Sequence, residues 1–447
     1  MPTTNRQYTT MDKLLSLSKR RGFLFQSSEI YGGINATWDY GPMGVEVKRN
    51  VKEAWWRSTI FDRDDTVGLD SAILMHPRIW QASGHLENFS DPLAECKACH
   101  QRFRTDDLES LVCLKCGGEL TNPRQFNLMF KTSMGPVADS ASEIYLRPET
   151  AQGVFVNFLN VVNTTRRKLP FGIAQIGKAL RNEITPGNST FRTREFEQME
   201  MEFFVVPGTD EEWLDYWVNE RLNWYVKYGI QREHLRLRQH ESDELSHYAK
   251  KVFDIEYLFP WGWAELEGIA NRTDFDLRRH SESSGQDLTY FDEQTHQRFY
   301  PYIIEPSGGV DRAALAFLLD AYHEEPIPSS KPGAQEQTRV ILRLHRHIAP
   351  TKVAILPLSR NQKLAPTARN VHAIMRPHFS TIYDDAQSIG RRYRRQDEVG
   401  TPFCVTVDFG TVDDQRVTLR DRDTMQQLRV PIVRLVEILR DKLEHGW

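Results

Sequence analysis

The sequence predicts an α+β protein in two units: an antiparallel sheet with flanking helices, followed by a smaller α/β unit at the C-terminal end. Three observations carry this expectation. Two long stretches, PFGIAQIGKALRNEI and REFEQMEMEFFVV, alternate like strands on either side of a Pro-Gly turn, the pattern of an antiparallel hairpin. A stretch rich in Pro, Ser and Gly, EEPIPSSKPGAQEQT at 324–338, reads as a linker. Behind it, strands alternate with helices over about a hundred residues, as in a compact α/β unit.

In chain order, GVEVKRNVKEAWWRSTIF (44–61) carries apolar residues at helical spacing. After the hairpin, DEEWLDYWVNERLNWYVKYG is an amphipathic helix. AELEGIA and YPYIIEPSGG read as strands, the second running into a helix, VDRAALAFLLDAY. Beyond the linker, KVAILPL (352–358), TPFCVTVDF (401–409) and QRVTLRDR (415–422) read as strands. The helical patterns there are KLAPTARNVHAIMRPH, QSIGRRYRRQDEVG and MQQLRVPIVRLVEILRDKL.

A chain of 447 residues exceeds one ordinary core, and 40% apolar with 26% charged residues is a soluble globular composition. No apolar run is long enough to span a bilayer, and the first residues lack both an apolar signal core and an Arg-rich transit character, so the cytoplasm is the expected compartment. Charge is uneven. From Val340 on there are 18 Lys+Arg against 12 Asp+Glu, whereas residues 1–339 hold 39 against 49. A basic end on an acidic body suits contact with a polyanion such as RNA, with a chance local excess as the alternative. Arg391, Arg392, Arg394 and Arg395, with Tyr393 for stacking, are the candidates, although part of that run reads equally as a solvated helix face.

Four cysteines, Cys96, Cys99, Cys113 and Cys116, form two Cys-x-x-Cys knuckles, the spacing of a closed four-thiolate zinc site. A site with no open position is structural. Cys404, inside an apolar strand, reads as a buried inert thiol. In the hairpin, Phe196, Gln198, Glu200 and Glu202 share one face and Met199, Met201 and Phe203 the other. The Met/Phe face belongs to a core. The acids opposite repel one another unless a cation compensates them. A solvated, charge-laced hairpin is the alternative, but the apolar partner face argues for the wall of a cleft. Glu265 and Glu267 are spaced for one strand face near Arg272, which suits either Mg2+ with phosphates or an ion-pair cluster. In EPSGGVDRAALAF the glycines allow close backbone approach, and Arg312 falls in the first turn of a helix, where anions are favoured; a helix-capping turn is the alternative. Neither a Walker-type loop nor a Gly-x-Gly-x-x-Gly fingerprint is present.

Together these blocks resemble a class II aminoacyl-tRNA synthetase, and more narrowly the dimeric α2 type of glycyl-tRNA synthetase. WDYGPMGVEVKRNVKEAWW is similar to motif 1, ALRNEITPGNSTFRTREFEQMEMEFF to motif 2 and IIEPSGGVDRAALAFLL to motif 3. ASGHLENFSDPL, LRPETAQG and WAELEGIANRTDFDL resemble blocks of the glycine-specific members, and SIGRRYRRQDEVGTPFCVTVDF resembles the class IIa anticodon-binding domain. The resemblance implies a catalytic domain over residues 1–335, with a zinc-ribbon insertion at about 92–122, and an anticodon-binding domain over 340–447. It implies a six-stranded antiparallel catalytic sheet and activation of glycine with ATP to glycyl-adenylate, then transfer to the 3′ end of tRNA(Gly). It also implies a homodimer, Mg2+ with ATP and structural Zn2+, with no membrane partner.

Residue roles follow from the same resemblance. Arg181 holds the α-phosphate, Phe196 stacks on adenine with Glu183 near its edge, and Arg312 lies on the far side of the bent nucleotide. The ATP set is completed by Asn182, Phe191, Arg192, Thr193, Arg194, Glu195, Glu265, Leu266, Gly309, Val310 and Asp311, with Glu265 working through Mg2+. Glu149, Glu200 and Glu305 surround the glycine ammonium. Arg78 and Arg272 serve carboxylate and phosphates, and Glu197, Gln198, Met199, Pro306, Ser307 and Gly308 line the amino-acid site, with Phe196 and Gly309 shared. Such activation joins two anions, so arginines and Mg2+ matter more than an acid or base. Nothing proteinogenic is smaller than glycine, which fits the lack of a large insertion suited to editing. The alternatives are another class IIa synthetase, or a synthetase-like nucleotide- or RNA-binding paralogue. Such paralogues usually lose the motif 2 or motif 3 arginine or the anticodon domain, whereas Arg181, Arg312 and the basic C-terminal unit are all present.

Overall fold

A computed structural model describes residues 11–108, 110, 112–136, 142–246, 248–327 and 337–447. Its centre is a seven-stranded sheet built from β1 Thr66–Gly68, β2 Phe171–Leu180, β3 Glu195–Val205, β4 Leu235–Gln239, β5 Lys251–Phe259, β6 Gly262–Thr273 and β7 Tyr302–Gly309. The order is β4-β5-β6-β7-β3-β2-β1. Neighbours run antiparallel except the short edge strand β1, which lies parallel to β2. The antiparallel six-strand sheet that the resemblance implies is therefore extended by one parallel strand.

Strand alternation divides β3 as its sequence suggests. Met199, Met201 and Phe203 enter the main core with the helices α1 Pro42–Trp56, α2 Asp210–Lys227 and α3 Val310–Ala321. α1 starts on Pro42 at its first turn, where a missing N–H costs nothing. Gln198, Glu200 and Glu202 point to the opposite face, under the short helices Ala151–Val156 and Phe275–Ser284.

The spacing of Glu265 and Glu267 misled the sequence reading. Ile255 pairs with Glu267 but the next residue, Glu256, pairs with Glu265, so a bulge at Leu266 reverses the alternation. Glu267 is turned into the core, where Arg221 of α2 donates to it at 2.6 and 3.2 Å, and it cannot share a cation with Glu265.

The C-terminal sheet contains β8 Val353–Pro357, β9 Thr381–Tyr383, β10 Phe403–Val407, β11 Arg416–Asp421 and β12 Gln427–Pro431, in the order β9-β8-β10-β11-β12. β8 is parallel to β9 and β10; the remaining pairs are antiparallel. The stretch expected as one helix from Met425 splits here: β12 pairs with β11, and the helix Leu435–His445 begins only after Pro431, which cannot continue a helix. The expected linker also differs, because Tyr322–Ile327 pairs with Gln337–Leu342 in a two-stranded ribbon, and residues 328–336 lie outside the described residues. The opening residues read for a targeting signal lie outside them as well.

The basic run on the helix Ile389–Val399 is mostly structural. Arg392 is buried and donates to the carbonyls of Pro357, Leu358 and Asp384, and Arg395 pairs with Asp384 at 2.7 Å. The hydroxyl of Tyr393 bonds Thr406, and its ring lies under Arg420. Arg391 and Arg394 stay exposed.

Candidate active site

β2, β3, β6 and β7 bring the candidate residues to one end of the sheet. A cleft of about 320 Å3 is lined there by Arg181, Glu183, Phe191, Arg192, Thr193, Phe196, Gln198, Glu265, Ser307, Gly308, Gly309, Asp311 and Arg312. Arg181, at the end of β2, donates to the Pro148 carbonyl at 3.0 Å, and its guanidinium lies 5.3 Å from both the Phe196 and Phe89 rings. Arg312, in the first turn of α3, lies 4.4 Å over the Phe191 ring and pairs with the Glu265 carboxylate at 3.2 Å. Glu265 itself is 51% exposed and so remains available to a cation that accompanies an anionic ligand.

Beside the cleft lies a buried polar niche. The register sets Glu200 opposite Ser307, whose hydroxyl donates to Glu200 at 2.7 Å. Thr150 donates its hydroxyl to the other Glu200 oxygen and its N–H to Gln198 at 3.2 Å. Arg272 donates to Glu305 at 2.8 Å and holds Asp276 through two bonds of 2.8 and 2.9 Å. Gln152 bridges Asp276 and Glu149 at 3.1 and 3.0 Å, while His85 faces the second Glu149 oxygen at 3.2 Å. Glu149 and Glu305 thus belong to one bonded chain, and Glu200, held by its own partners, brings an oxygen within 4.8 Å of one from Glu305.

Its electrostatics differ from acid to acid. Burial opposes the charge of Glu149, yet His85, Arg272 and Gln152 hold it well below the usual carboxylate range. Burial pushes Glu305 up to about 8, with Glu200 and Glu149 adding like charge against Arg272. Glu200 is raised by burial and by Glu149. A niche so rich in raised carboxyls favours a small cation.

Other expected residues lie elsewhere, for reasons of geometry. Met199, Leu266 and Val310 turn their side chains into the core. Pro306 is a buried position of β7. Glu197 shares the Met199 side of β3 and pairs with Lys48 and Lys52 of α1. Asn182 follows Arg181 as the chain leaves β2, its N–H bonded to the Leu128 carbonyl. Glu195 pairs with Lys178 across the hairpin, and Arg194 donates to the Asn35 and Glu183 carbonyls. Arg78 donates to the Ser283 carbonyl and does not line the cleft. Arg272, expected to meet carboxylate or phosphate, instead fixes Glu305 and Asp276. Asp311 reaches the cleft, but its carboxylate accepts from Tyr40, Lys48 and the Glu197 N–H at 2.7, 2.6 and 2.7 Å.

Sequence reasoning missed Phe89, Asp91, Arg104 and Leu128, which line the same cleft from the cysteine-bearing insertion and the residues flanking it. Phe89 and Asp91 lie inside the ASGHLENFSDPL block already singled out, whereas nothing local signals Arg104 or Leu128, which a three-stranded sheet of Ser90–Glu95, Arg102–Arg104 and Arg124–Asn127 and its end carry there. Thr150, Gln152 and His85 sit inside or beside blocks already singled out, and their neighbours were the available signal. The cysteines converge: Cys96 and Cys116 Sγ lie 3.5 Å apart, and Cys99 and Cys113 Sγ 3.6 Å. Four thiolates about 2.3 Å from one zinc ion stand about 3.8 Å apart, so the donor set fits. Gly118 completes the cradle, because a Cβ there would meet Cys96 and Cys116 Sγ at 3.1 and 3.3 Å.

Comparison with known proteins agrees in both units. Residues 130–322 match the family described as tRNA synthetase class II core domain (G, H, P, S and T), and 352–442 match the anticodon binding domain. The chain is 55% identical to a glycine–tRNA ligase of Thermobifida fusca, covering 97% of this chain and 98% of that one. It is 54% identical to that of Treponema denticola, covering 98% of each. A solved structure of prolyl-tRNA synthetase from Cryptosporidium parvum, complexed with halofuginone and AMPPNP, superposes with a TM-score of 0.66 over 99% of this chain and 77% of that one; at 15% identity it speaks to the fold alone.

Proposed function

Because this chain belongs to the glycine–tRNA ligase family, we propose that the cleft binds ATP and that the carboxylate niche beside it takes the ammonium of glycine. The chain is a ligase that activates glycine with ATP and charges tRNA with it. The observation that supports the residue assignment is the buried chain of bonds joining Glu149 to Glu305, with a Glu200 oxygen within 4.8 Å of one from Glu305, next to a cleft walled by Arg181 and Arg312.

In this reading Phe196 stacks on adenine, Glu183 meets its edge and Arg312 closes the other side. Arg181 holds the α-phosphate while the glycine carboxylate attacks it in line and pyrophosphate leaves. Fixed cations aimed at developing negative charge supply the rate without a general base. Mg2+, carried in with ATP at Glu265, would screen the departing phosphates. Glu149, already held ionised, together with Glu200 and Glu305, fixes the amine and leaves no room for a side chain.

Residues 1–335 form the catalytic unit and 340–447 the anticodon-binding unit, with tRNA(Gly) reaching both. Zinc held by Cys96, Cys99, Cys113 and Cys116 braces the insertion. A second copy of the chain covers the apolar Ile30 and Tyr31, 88% and 87% exposed. No described helix is long and apolar enough to cross a membrane, and the cytoplasm is the compartment that fits this work. Amino-acid-dependent ATP–pyrophosphate exchange tests the assignment. Glycine alone supports exchange, and Glu149→Ala lowers it by about 10²-fold or more, the loss expected when a buried charged partner goes. Near-normal exchange in that variant would remove Glu149 from the amine site.

A further inference from the structure

Glu202 stands at the floor of the niche. It lies two residues beyond Glu200 on the same face of β3, and the register that pairs Glu200 with Ser307 and Phe203 with Ile304 sets it directly across from Glu305. One carboxylate oxygen each from Glu200, Glu202 and Glu305 lies within 4.8 Å of the other two. Glu202 is 0% exposed, and neither of its oxygens has a hydrogen-bond partner among the described residues. Like charges directly opposite on paired strands destabilise a sheet, and an ionised carboxylate without a donor is among the costliest groups to bury.

Four charged or titratable groups weigh most on Glu202: Glu305 from β7, Glu200 from its own strand, Arg272 from β6 and Asp276 from the helix Phe275–Ser284. On β2 its cross-strand neighbour is Ile173. Arg272, the one cation among the four, is committed by its bonds to Glu305 and Asp276. Glu305 therefore has a bonded cation, although burial still pushes it up to about 8, whereas Glu202 feels Arg272 only at a distance and has no hydrogen-bond donor among the described residues. Burial first, then Glu305 and Glu200, drives Glu202 well above the usual carboxylate range.

We propose that Glu202 is a further acceptor of the amine site, that it carries a proton while the niche is empty, and that an incoming ammonium displaces that proton to solvent. The inference rests on the glycine reading above and deepens it. The balance is simple. A protonated amine enters, the Glu202 carboxyl loses its proton to water, and the net charge of the niche is unchanged. An ammonium reaching three carboxylate oxygens at about 2.8 Å holds them about 4.6 Å apart, which the 4.8 Å limit on their separations accommodates. A Mg2+ ion at about 2.1 Å would draw them to about 3 Å.

The test is calorimetric titration of glycine into the full chain at pH 7 in two buffers of different ionisation enthalpy. About one proton is released per glycine, and apparent glycine affinity falls about tenfold for each pH unit below the Glu202 titration, because protons and ammonium compete. In Glu202→Gln the release disappears and glycine binds at least tenfold more weakly at pH 8, while ATP binding and melting temperature stay as in the wild type. Zero release by the wild-type chain overturns the proposal, as does unchanged release in Glu202→Gln. The wild-type buffer comparison decides by itself if the variant does not fold. Wild-type glycine affinity in both Glu149→Ala and Glu202→Gln would instead mean that the niche is not the amine site. Loss in Glu149→Ala with wild-type affinity and proton count in Glu202→Gln would overturn this proposal alone.

Discussion

Asp311 illustrates how a residue in a ligand-binding block can have a different task. Its carboxylate gathers the Tyr40 hydroxyl, the Lys48 ammonium and the Glu197 N–H, joining α1, β3 and α3 at one point. Lys48 is buried there, and removing Asp311 leaves an ammonium with one counter-ion instead of two. Asp311→Ala is expected to cost about 3 kcal/mol, the low end for a broken buried pair, because Glu197 still faces Lys48 at 2.8 Å. Urea denaturation measures it; an unchanged midpoint would mean that the three donors find water instead. At this scale the reactive types were legible in the sequence, since Arg181, Glu200 and Arg312 all reach the cleft or niche. The commitments of individual groups were not, because Arg272 and Asp311 are claimed by partners 4 to 271 positions away.

Period-two alternation correctly separated the core face of β3 from its acidic face, and the two Cys-x-x-Cys knuckles marked four cysteines that the fold brings into one cluster. The same alternation failed for Glu265 and Glu267, because one bulged residue reverses every side chain beyond it and no residue type announces a bulge there. The insertion shows the larger gap between pattern and position. It delivers Arg104 and Asp91, 3.5 Å apart, and Phe89 to the cleft that receives Arg181. Met129 bridges to Arg181, so the return of the insertion is stitched to the end of β2. Stripping the zinc should therefore raise KM for ATP in the exchange reaction several-fold, leave KM for glycine nearly unchanged, and be reversed by adding zinc back. If the ribbon served the tRNA acceptor stem alone, charging would fall while exchange held steady.

The two units meet through short-range contacts that the sequence could not announce. Asn50 of α1 donates to the Ile348 and Ala349 carbonyls at 3.2 and 2.9 Å, just ahead of β8. Nearby, His345 sits edge-on to Tyr228 at 5.5 Å and stacks with His347 at 5.4 Å. Burial, with His347, Arg346, Lys352 and Arg422 adding like charge, pushes His345 down to about 4. An unfolded histidine takes up its proton near pH 6.5. Between that value and about 4 the unfolded chain binds the proton and the folded one refuses it, so the stability from a neutral His345 is complete above pH 6.5 and drains away as pH falls toward 4. His345→Phe keeps the ring against Tyr228 and removes the proton. Its urea midpoint should therefore decline less than that of the wild type from pH 7 to pH 4.5, while the two stay close at pH 7.5. Parallel declines would place the acid sensitivity of the junction in some other group.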